Sequence, residues 1–264
     1  MSQLSKTVKS KLLSCFIEEI QYRNRNPKNT EVLQLLDDCS TNPERVIPIN
    51  TLLYRCRIIR DKSKLHKENC FLGYNAKESF VAPSSATRDM RANYRYIPYL
   101  YCANHPYTAL VEVRPRIGSE VSVATINVNE ELKLLDFTLH VIPEGMDDAK
   151  KLLFSDLSYL FSKPMAFDDD TLDYIPTQYI AEYAKHLGYD GIVFESSLTP
   201  ELKSQDIIVH PELDRYNLVI FNYQKCCPIK SNVVKVEYQY TECKQIDKDN
   251  DKLEIHVPLL DIYF

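Results

Sequence analysis

The 264-residue chain carries 32 Lys and Arg against 37 Asp and Glu, a formal net charge of -5, and 44% of it is hydrophobic. That balance argues against a protein that coats nucleic acid, which needs a positive footprint, while the apolar share can fill a sizeable core. No window approaches the ~20 apolar residues of a membrane span.

The opening "MSQLSKTVKSKLLSCFIEEI" places three lysines before a short apolar run that is broken by Ser14 and Cys15 and leads into Glu18 and Glu19. It has no small-residue cleavage site and reads as an amphipathic helix rather than a leader. Two helices are expected over residues 4–22 and 30–39, with Thr30 capping the second and "TNPERVIPIN" as a linker. "LLYRCRII" then has a period of two, which puts Leu52, Tyr54, Cys56 and Ile58 on one face and Leu53, Arg55, Arg57 and Ile59 on the other. Residues 61–96 sustain no period and are rich in Asn, Ser, Lys and Arg, so they are expected to be disordered or functional.

"YLYCA" reads as a strand and residues 106–113 as a helix, with Asn104 as its cap, Pro106 in the first turn and Pro115 beyond its end. Glu112 lies inside this apolar run, where a buried carboxylate needs compensation. "EVSVATINV" and "LKLLDFT" are expected strands, and "DDAKKLLFSDLSYLF" an amphipathic helix. A second helix, "PTQYIAEYAKHLG", stops at Gly188, a left-handed cap position. The strands "DGIVFESS" and "NLVIFN" follow, and "NVVKVEYQY" with "KLEIHV" suggests a terminal hairpin. The expected division is a helical segment over 1–45, a main domain over 46–228 and a β appendage over 229–264.

The eight cysteines include no CxxC pair, which argues against a zinc or redox motif and fits reduced thiols in a cytoplasmic protein. The five glycines form no phosphate-binding loop, so any phosphate must be held by side chains. The six histidines show no ligand spacing, and Asp168-Asp169-Asp170 lacks the other ligands of a calcium loop; no metal is expected. His105 and His186 read as helix-terminal or surface residues.

Taken in order, "LLYRCR", "RANYRYIPYLYCANHPYTALVEVRP", "PTQYIAEYAKHLGYDGIVFESS" and "YNLVIFN" resemble successive phrases of the RES domain family, over roughly residues 48–224. The resemblance implies an α+β fold, an ADP-ribosyltransferase-like split antiparallel β core with surrounding helices. It also implies an NAD-consuming activity, since family members characterised as toxins consume NAD, and a partner, since many are paired with an Xre-like antitoxin that covers the active-site entrance. Carried over residue by residue, Arg55 is the first-strand arginine, Arg91 the arginine of the "RAN" phrase, Tyr101 the tyrosine of the "LYCA" phrase, Glu112 the glutamate and Ser196 the serine. Arg57 and Ser197 are the alternatives if the register differs by a step. Here Tyr216 stands where the family often has a glycine, and Glu195 where a proline is common.

In that reading Glu112 stabilises an oxocarbenium-like centre, Arg55 and Arg91 fork the pyrophosphate and compensate Glu112, and Tyr101 offers a ring and a hydroxyl. Ser196 positions ribose or the nicotinamide amide. The expected activity is cleavage of the nicotinamide-ribose bond by a glycohydrolase or phosphorylase acting as a toxin or defence effector. The alternatives are transfer of ADP-ribose to a macromolecule, and a catalytically degenerate nucleotide- or partner-binding module.

Overall fold

The computed structural model describes residues 7–28, 30–65, 69–140, 142–163, 171–198 and 215–237. Among them eight strands form one sheet: β1 (Glu44–Ile47), β2 (Leu52–Ile58), β3 (Leu100–Ala103), β4 (Glu120–Val128), β5 (Leu132–Asp136), β6 (Gly191–Glu195), β7 (Tyr216–Ile220) and β8 (Cys226–Lys235), in the order β1-β5-β6-β7-β3-β2-β4-β8. The described helices are α1 (Lys11–Tyr22), α2 (Glu31–Asp37), α3 (Ala76–Ser79), α4 (Pro106–Glu112), α5 (Asp148–Ser162) and α6 (Ile175–His186). None of them is long and apolar enough to cross a membrane. The fold is α+β.

β5 and β6 run parallel, and the other described neighbouring pairs are antiparallel. Parallel neighbours need a long crossover, and α5 and α6 supply it. Both are capped by short-range chemistry: Asp147 accepts from Lys150 N at 2.7 Å at the start of α5, and Gly188 takes φ +92° just past the end of α6.

Strand alternation divides the core. On one face Ile192, Phe194, Val219 and Phe221 pack with α1, α2, α5 and α6 through Phe16, Ile17, Leu36, Leu153, Phe161 and Ile180. On that same face, Cys56, Ala103 and Val123 pack under Ala109, Leu110 and Val113 of the α4 region. The opposite face holds Leu53, Leu100, Cys102, Ala124, Val193, Leu218 and Ile220.

Several boundaries differ from the sequence expectations. The stretch read as a linker contains β1, whose Glu44 and Ile47 register with Leu135 and Leu132 of β5. The cap of α4 is His105, whose Nδ1 accepts from Tyr107 N at 3.2 Å, and not Asn104. Asn104 instead extends the β3–β7 pairing: its N–H donates to the Tyr216 carbonyl at 3.2 Å, and its side-chain oxygen accepts from Tyr216 N at 3.0 Å. Burial, aided by the Arg215 charge, lowers His105 to about 4, so the capping imidazole is neutral at physiological pH. β8 starts at Cys226 and is, among the described strands, the last in the sheet beside β4, while "KLEIHV" and Asp168-Asp169-Asp170 lie outside the described residues.

Asp190 ties the ends of three strands together. Its carboxylate accepts from Lys133 N at 2.9 Å, Asn222 Nδ2 at 2.6 Å and Lys225 Nζ at 2.9 Å, and its carbonyl accepts from Phe221 N at 2.7 Å. Burial raises its pKa, but these donors outweigh burial and hold the carboxyl below its usual range. A folded-state pKa below the unfolded one stabilises the fold above the unfolded value of about 3.9 and is lost as pH falls through the folded value. Asp190→Asn is therefore expected to unfold at lower temperature at pH 7, and the gap to wild type should close as pH drops below about 4. Thermal melts from pH 7 to pH 3 check this; a gap that does not change with pH refutes it.

Candidate active site

Three short-range arrangements bring a polar group to the junction between the α4 cluster and the larger apolar cluster. Glu112 is the last residue of α4, Ser196 directly follows β6, and Asn217 is the second residue of β7. Phe194 registers with Asn217, and Ser196 N donates to the Arg215 carbonyl at 3.3 Å, so alternation places Ser196 and Asn217 side by side on the helix-covered face. Ser196 Oγ donates to Glu112 Oε1 at 2.6 Å and Asn217 Nδ2 donates to the same oxygen at 2.7 Å. Both donors are buried at 9% exposure, whereas Glu112 itself is exposed.

The apolar run around Glu112 implies a buried carboxylate. The structure corrects this: the carboxylate is at the molecular surface, gripped from beneath through one oxygen. Neither of these two donors is given to the other oxygen, Oε2.

Arg91 comes from the loop before β3. The Met90–Asn93 bridge closes this loop, and α6 holds it: Thr177 Oγ1 donates to the Arg91 carbonyl at 2.7 Å, and Gln178 Nε2 donates to the carbonyls of Met90 and Asn93, each at 2.9 Å. Tyr101 braces the same loop, donating to Asn93 Oδ1 at 2.7 Å and accepting from Ala92 N at 3.3 Å. The Arg91 guanidinium is half-buried and donates to the Lys163 carbonyl. Burial lowers its pKa, opposed by Tyr174, Glu112 and Tyr101. Burial likewise raises the Tyr101 hydroxyl, which stays a neutral donor.

Arg55 does not join this group. It shares strand parity with Leu53 and registers with Ala124, both on the opposite face, and its NH1 reaches the Ser79 carbonyl at 3.4 Å. Burial lowers its pKa, with Cys102 of that same face acting against it. The expectation that Arg55 and Arg91 converge on Glu112 thus fails for Arg55, which lies on the opposite face. Arg57 follows Arg55, pairing with Glu78 at 2.5 Å over the Tyr74 ring. Ser197 is exposed beside Ser196.

Asn217 is not among the residues that the sequence singles out, although the "YNLVIFN" phrase contains it. Its signal is a buried amide at the start of a strand, which becomes informative only once β7 is registered on β6. Beyond the Arg91 loop, a cavity of ≈ 590 Å³ is lined by Arg25, Asp89, Tyr94, Gln178, Tyr179 and Glu182, among others. It contains none of the residues gathered on Glu112. Among the described residues no group of three or more His, Cys, Asp or Glu is placed to hold a metal ion.

The fold is α+β, and it brings the Glu112 carboxylate together with Ser196 and Asn217. Residues 56–241 match the model of the RES domain, and the chain belongs to that family. No curated protein matches it. A similar solved structure is a chain from "Crystal structure of the M.tuberculosis MbcT-MbcA toxin-antitoxin complex", with 14% identity, coverage of 78% of this chain and 93% of that one, and a TM-score of 0.43.

Proposed function

We propose that this protein consumes NAD by cleaving the bond between nicotinamide and ribose, as RES domain toxins do. The observation that carries the reading is the Glu112 carboxylate, exposed to a ligand yet fixed by Ser196 at 2.6 Å and Asn217 at 2.7 Å. The residues present suit the substrate. A fixed carboxylate complements a ribosyl cation, and the Arg91 guanidinium complements a pyrophosphate.

In the proposed reaction the C1′–N bond breaks and its electron pair leaves with nicotinamide. The positively charged pyridinium nitrogen becomes neutral, so the leaving group needs no proton. Positive charge appears on the ribosyl carbon, and Glu112 stabilises it without moving. Water or phosphate then forms the new bond to that carbon; water passes its surplus proton to solvent. Arg91 holds the diphosphate, in a loop fixed by Tyr101, Thr177 and Gln178. Ser196 acts on Glu112 and not as a nucleophile, because its hydroxyl proton is already committed to the carboxylate.

The described cysteines are free, which suits action in the reducing cytoplasm where NAD is found. A cognate Xre-like antitoxin is the proposed partner. A second reading, transfer of ADP-ribose to a macromolecule, is favoured by the exposure of Glu112, which a large acceptor could approach. Incubation with NAD labelled in its ADP-ribose half separates the acceptors. Water gives free ADP-ribose, phosphate gives a phosphorylated ADP-ribose that appears only in phosphate buffer, and transfer leaves label on protein or nucleic acid. Intact NAD in every buffer would refute the proposal.

A further inference from the structure

We infer that Asn217 is a positioning residue that, with Ser196, fixes which oxygen of Glu112 faces the substrate. This role rests on the NAD-cleaving reading of the site, but the geometry behind it does not. Asn217 is buried at 9% exposure, its Nδ2 donates to Glu112 Oε1 at 2.7 Å, and its backbone is locked between β3 and β6 through register with Ala103 and Phe194. The amide cannot follow Glu112 if the carboxylate swings away.

Glu112 needs that restraint because it ends its helix. Val113 is the C-cap of α4 and Arg114 has φ +46°, so the chain turns away directly after the carboxylate-bearing residue. An exposed glutamate at such a place has several rotamers, and ordering it costs side-chain entropy. Two buried donors converging on one oxygen select one rotamer before substrate arrives. Ser196 alone would leave rotation about its own hydroxyl; Asn217 supplies a donor whose direction is set by the sheet. Binding energy then need not be spent on orienting the carboxylate, and the contribution appears in the chemical step.

Asn217→Leu removes the donor at similar volume, and Asn217→Asp replaces it with an acceptor that repels Glu112. Both are expected to lower kcat for NAD consumption about 100-fold with KM changed less than about threefold. A change confined to KM would make Asn217 a substrate contact, and unchanged kinetics would make it structural; either result overturns the inference. A second measurement needs no turnover. The side-chain amide protons of Asn217, followed by NMR in the wild-type protein, are expected to shift upfield and exchange faster in Glu112→Ala. Unaltered amide resonances would overturn the clamp even if the kinetic variants failed to fold. If wild type consumes no NAD while the amide responds as expected, the clamp stands and the functional proposal falls.

Discussion

Replacing Glu112 with glutamine is expected to leave the fold intact and to lower NAD consumption by at least about 100-fold. The substitution keeps the shape of the side chain. Its carbonyl oxygen can accept from Ser196 Oγ and Asn217 Nδ2 as Oε1 does, so both buried donors stay satisfied. What disappears is the negative charge facing the ribosyl carbon, where positive charge develops as nicotinamide leaves. Because Glu112 is exposed, no buried charge is left unpaired and stability should change by less than about 0.5 kcal/mol. Nicotinamide release, measured alongside a thermal melt, checks both halves. Full activity in a folded Glu112→Gln protein would contradict the proposed role.

Gly191→Ala is expected to damage the fold itself. Gly191 starts β6 between β5 and β7, registered with Leu134 on one side and Ile220 on the other. A Cβ there would lie 2.4 Å from the Val219 carbonyl oxygen, 3.0 Å from Ile220 Cα and 3.0 Å from Leu134 Cδ2. The first two are backbone atoms of a hydrogen-bonded strand and cannot move without breaking the β6–β7 ladder. Overpacking of this kind costs about 3 kcal/mol or more, a large part of a domain's stability. Gly145→Ala is the useful comparison. Nothing lies within 4 Å of its added Cβ, and only its φ of +84° resists the change, which costs about 1 kcal/mol. Denaturant midpoints of the two variants should separate clearly, and equal midpoints would contradict the close approach in the sheet.

The parts of the fold legible in the sequence were those governed by local physics. β4 has the bounds of the stretch "EVSVATINV", and α6 is bracketed by Pro176 and Gly188, whose conformational preferences act within a turn. β1 is not legible because a run of four residues, "ERVI", is too short for an apolar alternation to read; only pairing with β5 makes it a strand. The site divides in the same way. The motif phrases point to Arg91, Tyr101, Glu112 and Ser196, and the structure joins Glu112 to Ser196 and Tyr101 to the loop that carries Arg91. Strand period shows that Leu53 and Arg55 share a face, but not which face α4 covers, and that long-range fact separates Arg55 from Glu112. Asn217 depends on register between strands that are distant in sequence. The exposure of Glu112 depends on where α4 ends, which an apolar run does not reveal.

The proposed chemistry rests on whether the isolated protein turns NAD over. Nicotinamide released from NAD by the purified chain, followed over time with and without phosphate, tests this most directly. The account predicts catalytic release of many equivalents of nicotinamide per protein, with loss of NAD to match. NAD that stays intact, or nicotinamide that never exceeds the background of protein-free buffer, would contradict it.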